Sequence, residues 1–142
     1  MVVLHVSDEI KILSHKGEYV VNFVSGGIDQ LNQQPIENAI YIVDQNITKI
    51  YNNRLSNILN SQKVLIIEAI EENKSLDQFP AYVDSLVGLN VRRGQKLVAI
   101  GGGIIQDITC FLADTMMRGL PWMFYPTTLL AQSDSCIGSK SS

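Results

Sequence analysis

Three consecutive glycines, Gly101, Gly102 and Gly103, follow a short apolar run at residues 97–100 and open an apolar segment that carries Asp107. A strand–glycine–helix junction of this kind lets backbone N–H groups approach a phosphate, and the helix dipole favours the anion. A later apolar run ends at Pro126, Thr127 and Thr128, whose hydroxyls are able to bond a ligand or the local backbone. Arg118, Asp134 and Lys140 supply what a phosphorylated, hydroxyl-rich ligand needs. The cations suit a phosphate or carboxylate, and the carboxylate accepts from hydroxyls. Asp44 and Asn46 follow one upstream apolar run, and Glu71 and Lys74 follow another. Each residue also has a local reading. Glycines serve any tight turn, and Asp107 complements a helix dipole. Asp44 and Asn46 are cap residues, Arg118 before Gly119 suits a helix end, and Glu71, Lys74, Asp134 and Lys140 read as loop charges. The turn is not G-x-G-x-x-G, because Gln106 occupies the last glycine's place.

The elements that would position these residues follow from periodicity. Val2, Leu4 and Val6 share a strand face, Ile10 and Ile12 continue it, and a further strand runs from Tyr19 to Val24. A short helix is expected at 28–32, before Pro35. The apolar runs 39–43 and 63–67 read as buried parallel strands. Between them, Ile47, Ile50, Tyr51, Leu55, Ile58 and Leu59 recur at helical spacing. Ser75 is a candidate cap for a helix with Leu76, Phe79, Val83, Leu86 and Val87 on one face. Asn90, Arg92, Arg93 and Gly94 are expected to close that helix. The order is an N-terminal β-hairpin region followed by β-α-β-α-β-α-β. It predicts an α/β fold, a Rossmann-like mostly parallel sheet flanked by helices. The candidate residues then gather at one edge, beyond the strand ends, where ligands bind in such sheets.

The totals constrain the class. A chain of 142 residues is expected to form one domain, 1–142. Its net charge of -3 lacks the basic footprint of a nucleic-acid binder. No apolar run approaches the roughly 18 residues of a membrane span, and the N-terminus lacks the form of a signal peptide. Cys110 and Cys136 have no disulfide or metal spacing, which points to a reducing compartment. The expectation is a cytoplasmic protein with no nucleic-acid or membrane partner.

The ordered set GGGIIQDITCFLADTMMRGLPWMFYPTTLLAQSDSCIGSK closely resembles the N-terminal domain of 3-dehydroquinate synthase and its sugar-phosphate cyclase relatives. The shared pattern is a GGG-x-x-x-D helix, an RG-x-P turn, a PTTLLAQ-x-DS segment and a G-x-K ending. It is dense over residues 96–140 and diffuse over 1–95. Gln106 and Ser139 stand where the pattern has a small residue and a glycine. The resemblance implies an NAD-using carbon–oxygen lyase of the shikimate pathway. Such an enzyme converts 3-deoxy-D-arabino-heptulosonate 7-phosphate to 3-dehydroquinate and phosphate, with the cofactor taking a hydride and later returning it. It assigns NAD to Asp44, Asn46, Glu71, Lys74, Gly101, Gly102, Gly103, Asp107, Thr127 and Thr128. It turns Arg118, Asp134 and Lys140 toward the phosphorylated sugar-acid substrate.

The resemblance further implies a homodimer and a divalent metal, zinc or cobalt. That metal would be held by a glutamate and two histidines of a C-terminal helical domain, which these 142 residues do not contain. His5 and His15 do not match those ligands. By itself the chain is then expected to bind NAD weakly and to lack turnover. Other readings stand beside this one: another sugar-phosphate cyclase, an NAD-dependent polyol dehydrogenase of the glycerol dehydrogenase type, and a non-catalytic nucleotide-binding or dimerisation module.

Overall fold

The computed structural model describes residues 8–14 and 17–135. The strand expected at residues 2–6, both histidines, Cys136, Ser139 and Lys140 lie outside the described residues. β1 (Asp8–Ser14) and β2 (Gly17–Phe23) form an antiparallel hairpin, with Asp8 opposite Phe23 and Ser14 opposite Gly17. The main sheet is parallel. It contains β3 (Ala39–Asp44), β4 (Val64–Ile67), β5 (Lys96–Gly101) and β6 (Trp122–Pro126), in the order β4-β3-β5-β6. The α/β expectation and its N-terminal hairpin are both borne out.

Strand period explains the core. Successive side chains point to opposite faces, so Ile40, Ile42, Leu97 and Ala99 enter one cluster while Tyr41, Val43, Val98 and Ile100 enter another. The first is covered by α4 (Phe79–Gly88) and α5 (Gly103–Thr115) through Leu86, Ile105, Ile108 and Leu112. The second is covered by α1 (Gly27–Gln33), α2 (Gln45–Ile50) and α3 (Ser56–Leu59), with Leu31, Ile47 and Ile58. Every residue of β3 is buried, which is why its sequence is apolar almost throughout. Each fully buried Ile or Leu contributes about 1.5–3 kcal/mol.

Two expectations are corrected. The helical spacing across 47–59 is not one helix: α2 stops at Ile50, and a 3-10 turn, Asn53–Leu55, precedes α3. Asn52 and Asn53 interrupt it, since short amide side chains favour turns over helix interiors. The amides of Arg54 and Leu55 both donate to the Tyr51 carbonyl, so Leu55 still reaches the core. At α4, Arg92 and Arg93 lie beyond the helix rather than in its last turn, which holds no basic residue. Asn90, the first of the residues expected there, closes it without them, with φ 60. Its N–H donates to Val87 O and the N–H of Val91 donates to Leu86 O, a Schellman closure with buried Val91 and Leu86 in one cluster.

From β3 the chain steps outward to β4, returns past β3 to β5, and then steps out on the other side to β6. The direction of winding therefore reverses between β3 and β5. In open parallel sheets the crevice beyond the strand ends at such a reversal is where ligands bind. Among the described residues no helix is long and apolar enough to cross a membrane.

Candidate functional site

The reversal falls between Val43 and Ile100, which are register partners, so Asp44 and Gly101 stand side by side at the crevice. A Cβ on Gly101 would lie 3.2 Å from the Asp44 Cβ and 2.7 Å from Ile105 Cγ1. Gly101 is thus demanded by packing between strand and helix. A Cβ on Gly102 would lie 3.1 Å from Thr128 Cγ2, again a close internal contact. Gly103 differs. Its nearest neighbour would be Ser135 Oγ at 4.0 Å, so the fold itself does not require a glycine there. Gly102 is the N-cap of the 13-residue α5 and, having no side chain, gives its first N–H groups no side-chain cap. Those groups point along the helix axis toward the crevice, where an anion is favoured.

Asp44 is 8% exposed and its Oδ1 accepts from the Asn46 amide at 2.8 Å, so the cap reading of Asp44 is realised in α2. Asn46 is exposed in the first turn of that helix. Thr127 and Thr128 divide their roles. The Thr128 hydroxyl accepts from the Ala131 amide at 3.2 Å and the Thr128 carbonyl from the Gln132 amide at 3.0 Å, a turn-capping arrangement. The Thr127 N–H donates to Gly101 O at 2.8 Å, extending the β5–β6 ladder, but its buried Oγ1 has no partner among the described residues. A buried hydroxyl left unpaired is costly and invites a ligand.

Lys74 joins residues from two elements. It ends a 3-10 turn, Glu71–Lys74, after β4, and its Nζ lies 3.0 Å from both Glu71 Oε1 and Asp107 Oδ2. The Lys74 and Asp107 side chains are 21% and 19% exposed, Glu71 73%. Hydrogen bonding to Asp107 first, and to Glu71 second, raises the Lys74 pKa above the usual lysine value. The expected cofactor residues Glu71, Lys74 and Asp107 are thus one charge cluster beside the glycine turn.

The polar segment after β6 is expected from the sequence as a loop; it contains a π-helical turn, Ala131–Ser135, that carries exposed Asp134. Gln106 holds this turn. Its side chain is buried on α5 and donates from Nε2 to Ser135 O at 2.7 Å, while Oε1 has no partner among the described residues. Sequence reading marks Gln106 only as a departure from a pattern; the signal that could have found the contact is an amide on an otherwise apolar helix face.

Arg118 is not brought to this group. It lies in the turn between α5 and β6, exposed, with φ 68, followed by Gly119 with φ 100. The Leu97 N–H donates to Pro121 O, so this turn sits at the strand-start edge of the sheet. The length of α5, about 20 Å at 1.5 Å per residue, separates it from the crevice. Among the described residues no three His, Cys, Asp or Glu side chains gather as a metal site.

The N-terminal family model of 3-dehydroquinate synthase matches residues 64–142. The chain is 48% identical over 77 residues to the 3-dehydroquinate synthase of Latilactobacillus sakei subsp. sakei (strain 23K), covering 54% of this chain and 22% of that protein. A solved 2-epi-5-epi-valiolone synthase from Streptomyces hygroscopicus subsp. jinggangensis 5008, with NAD+ and Zn2+ bound, is similar at 27% identity and a TM-score of 0.65, covering 80% of this chain and 34% of that one. The crystal structure of 2-deoxy-scyllo-inosose synthase shares the fold, with a TM-score of 0.74 at 22% identity over 95% of this chain and 40% of that one. The chain therefore spans well under half the length of each of these proteins.

Proposed function

This chain belongs to the 3-dehydroquinate synthase N-terminal family, and from that premise we propose that it is the NAD-binding domain of a 3-dehydroquinate synthase-like lyase. The reaction would be conversion of 3-deoxy-D-arabino-heptulosonate 7-phosphate to 3-dehydroquinate with loss of phosphate. One observation carries the reading: the glycine turn, the α5 N-terminus and the unpartnered Thr127 hydroxyl converge where the sheet reverses.

The residues present fit a dinucleotide. First-turn amides of α5 would take its diphosphate across the open face of Gly103. Thr127 Oγ1 would gain the partner it lacks, and Lys74, held by Asp107 and Glu71, would offer a fixed cation at the rim. When bound, NAD supplies a reversible hydride acceptor. Asp134 would accept from substrate hydroxyls, and Lys140 would attract a carboxylate or phosphate. Arg118 takes part only if a second copy of the chain brings it to the crevice, which is how a homodimer enters the reading. The described residues offer no donor set for zinc or cobalt, and no step is assigned to a metal here.

A second reading within the same fold is another sugar-phosphate cyclase, favoured by the similarity to the NAD- and zinc-bound valiolone synthase. Calorimetric titration with NAD tests what both share. Binding with a Kd of roughly 0.1 mM, near −5.5 kcal/mol, is the expected result for half a crevice. An absence of binding at millimolar NAD sinks both. Phosphate release from the heptulosonate phosphate by this chain alone would contradict its reading as only the cofactor half.

A further inference from the structure

We propose that Gln106 is a positioning residue: its amide latches the turn that carries Asp134 onto the first turns of α5, fixing the substrate-facing carboxylate relative to the glycine turn. The inference rests on the reading of Asp134 as substrate-facing, but its geometry stands apart from NAD. Gln106 is 8% exposed, on a helix whose other buried residues are apolar except Thr109. Its Nε2 donates to Ser135 O at 2.7 Å. Ser135 meets the same helix a second time, because a Cβ on Gly103 would have Ser135 Oγ as its nearest atom at 4.0 Å. The turn's other ties are local: the Ala131 and Gln132 amides donate to Thr128, and Gln132 Nε2 donates to Pro126 O at 3.2 Å. The Ser135 and Ser133 hydroxyls donate to Ala131 O and Leu130 O, each at a long 3.4 Å, and both acceptors lie within the same short segment.

The amide's chemistry suits this task better than simple filling. A buried side chain chosen for volume alone would be apolar, because an amide that leaves Oε1 unpartnered is costly. Ser135 O needs a donor, and no aliphatic side chain provides one. Ala131, 1% exposed, anchors the start of the segment, whereas Leu129 and Leu130 are 82% and 71% exposed and do not. The latch then fixes the far end of the turn, at Ser135 next to Asp134, while Ala131 and the Thr128 bonds fix its start.

The test is amide-proton exchange by NMR on this chain, read at Ala131 and Gln132, which donate to Thr128 within the latched segment. Protection factors, corrected for intrinsic rates, are compared for the wild type, Gln106→Met and Gln106→Glu between pH 5 and 8. Methionine keeps the volume and removes the donor. Glutamate donates to Ser135 O only while protonated, so it rescues the latch at low pH and releases it at high pH. The expected result is a loss of protection of about three- to tenfold in Gln106→Met at every pH, the ratio for one net hydrogen bond. Burial raises a carboxyl's pKa, so protection in Gln106→Glu should approach the wild type as pH falls toward 5 and drop to the methionine level or below as it rises to 8.

The wild type carries Asp107, Asp134 and Lys74 through the same pH range, so its own trace accounts for them. Unchanged protection in both variants, or an equal pH-independent loss in both, overturns the latch. If Gln106→Met fails to fold, the pH dependence within Gln106→Glu decides alone. Failure of NAD to bind the wild type would remove the functional reading without altering any of these protection factors.

Discussion

Replacing one glycine of the turn separates the two reasons for having three. Gly103→Ala puts a methyl where the nearest atom is Ser135 Oγ at 4.0 Å, an ordinary van der Waals distance. The position lies in the first turn of α5 and outside the left-handed region. Alanine should therefore stabilise the chain by about 0.4–1 kcal/mol through the unfolded state, a rise in melting temperature of about 1–4 °C for a protein of this size. Gly101→Ala is the opposite case. Its methyl would sit 2.7 Å and 2.9 Å from Ile105 and 3.2 Å from Asp44, in a fully packed layer. Overpacking of that kind costs about 1–3 kcal/mol. If the open face of Gly103 is kept for a diphosphate, the same methyl obstructs the ligand. NAD affinity should then fall about 5- to 150-fold while the fold becomes more stable, taking the overpacking range as the penalty. Thermal denaturation followed by circular dichroism and calorimetric titration on the two variants measure both quantities. A Gly103→Ala protein that is more stable and binds NAD as the wild type does would refute the reasoning, and the glycine turn would be a packing device alone.

Two more outcomes follow from the charge cluster and the buried phenols. A double-mutant cycle on Lys74→Met and Asp107→Asn, measured by urea denaturation, should return a coupling of about 1 kcal/mol or less, because the pair is partly solvated; a coupling of zero would make the 3.0 Å contact irrelevant to the link between α5 and the turn after β4. Stability should be flat from pH 7 to about 9.5 and decline above about pH 10. Lys74 is raised by its carboxylate partners and Tyr41, Tyr82 and Tyr125 by burial, so the folded chain keeps protons that the unfolded chain releases near pH 10. Their contribution is complete below the unfolded values and is lost as pH rises through the folded ones. A melting temperature that holds constant to pH 11.5 would contradict this.

The sheet was readable because apolar runs such as AIYIV and KLVAI have no other stable use, and the glycine turn because it interrupts one so abruptly. Residue types also marked Asp44 as a cap and the Thr128 hydroxyl as a partner of local backbone, which they are, but the same reading fails for Asn46, inside the helix that Asp44 caps, and for the Thr127 hydroxyl. Pairings between distant segments were not readable. Nothing in Lys74 announces Asp107, and nothing in Gln106 announces Ser135, because such contacts depend on which helix lies over which strand end. The position of Arg118 was hidden for the same reason. Its spacing from the glycines places it in the motif, yet one helix length carries it to the other edge of the sheet. The ending of α4 shows the reverse error: Asn90 to Gly94 were all read as the helix ending, and Asn90 in the left-handed region ends it before the arginines and Gly94.

The reversal of the sheet between β3 and β5 also sets an order of assembly. As the chain leaves the ribosome, β3, its helices and β4 emerge first and are able to pair at once. The inner edge of β3 must wait, since the partner of Ala39 is Lys96. Until then an apolar strand with open N–H and C=O groups is exposed, the kind of edge that recruits strands from other chains. A chain cut short before residue 96 should therefore precipitate rather than persist as a smaller fold. Because Asp44 and Gly101 become neighbours only when β5 pairs with β3, and Thr127 joins them only when β6 then pairs with β5, the crevice forms last. A nucleotide that fills it would be recognising completed folding.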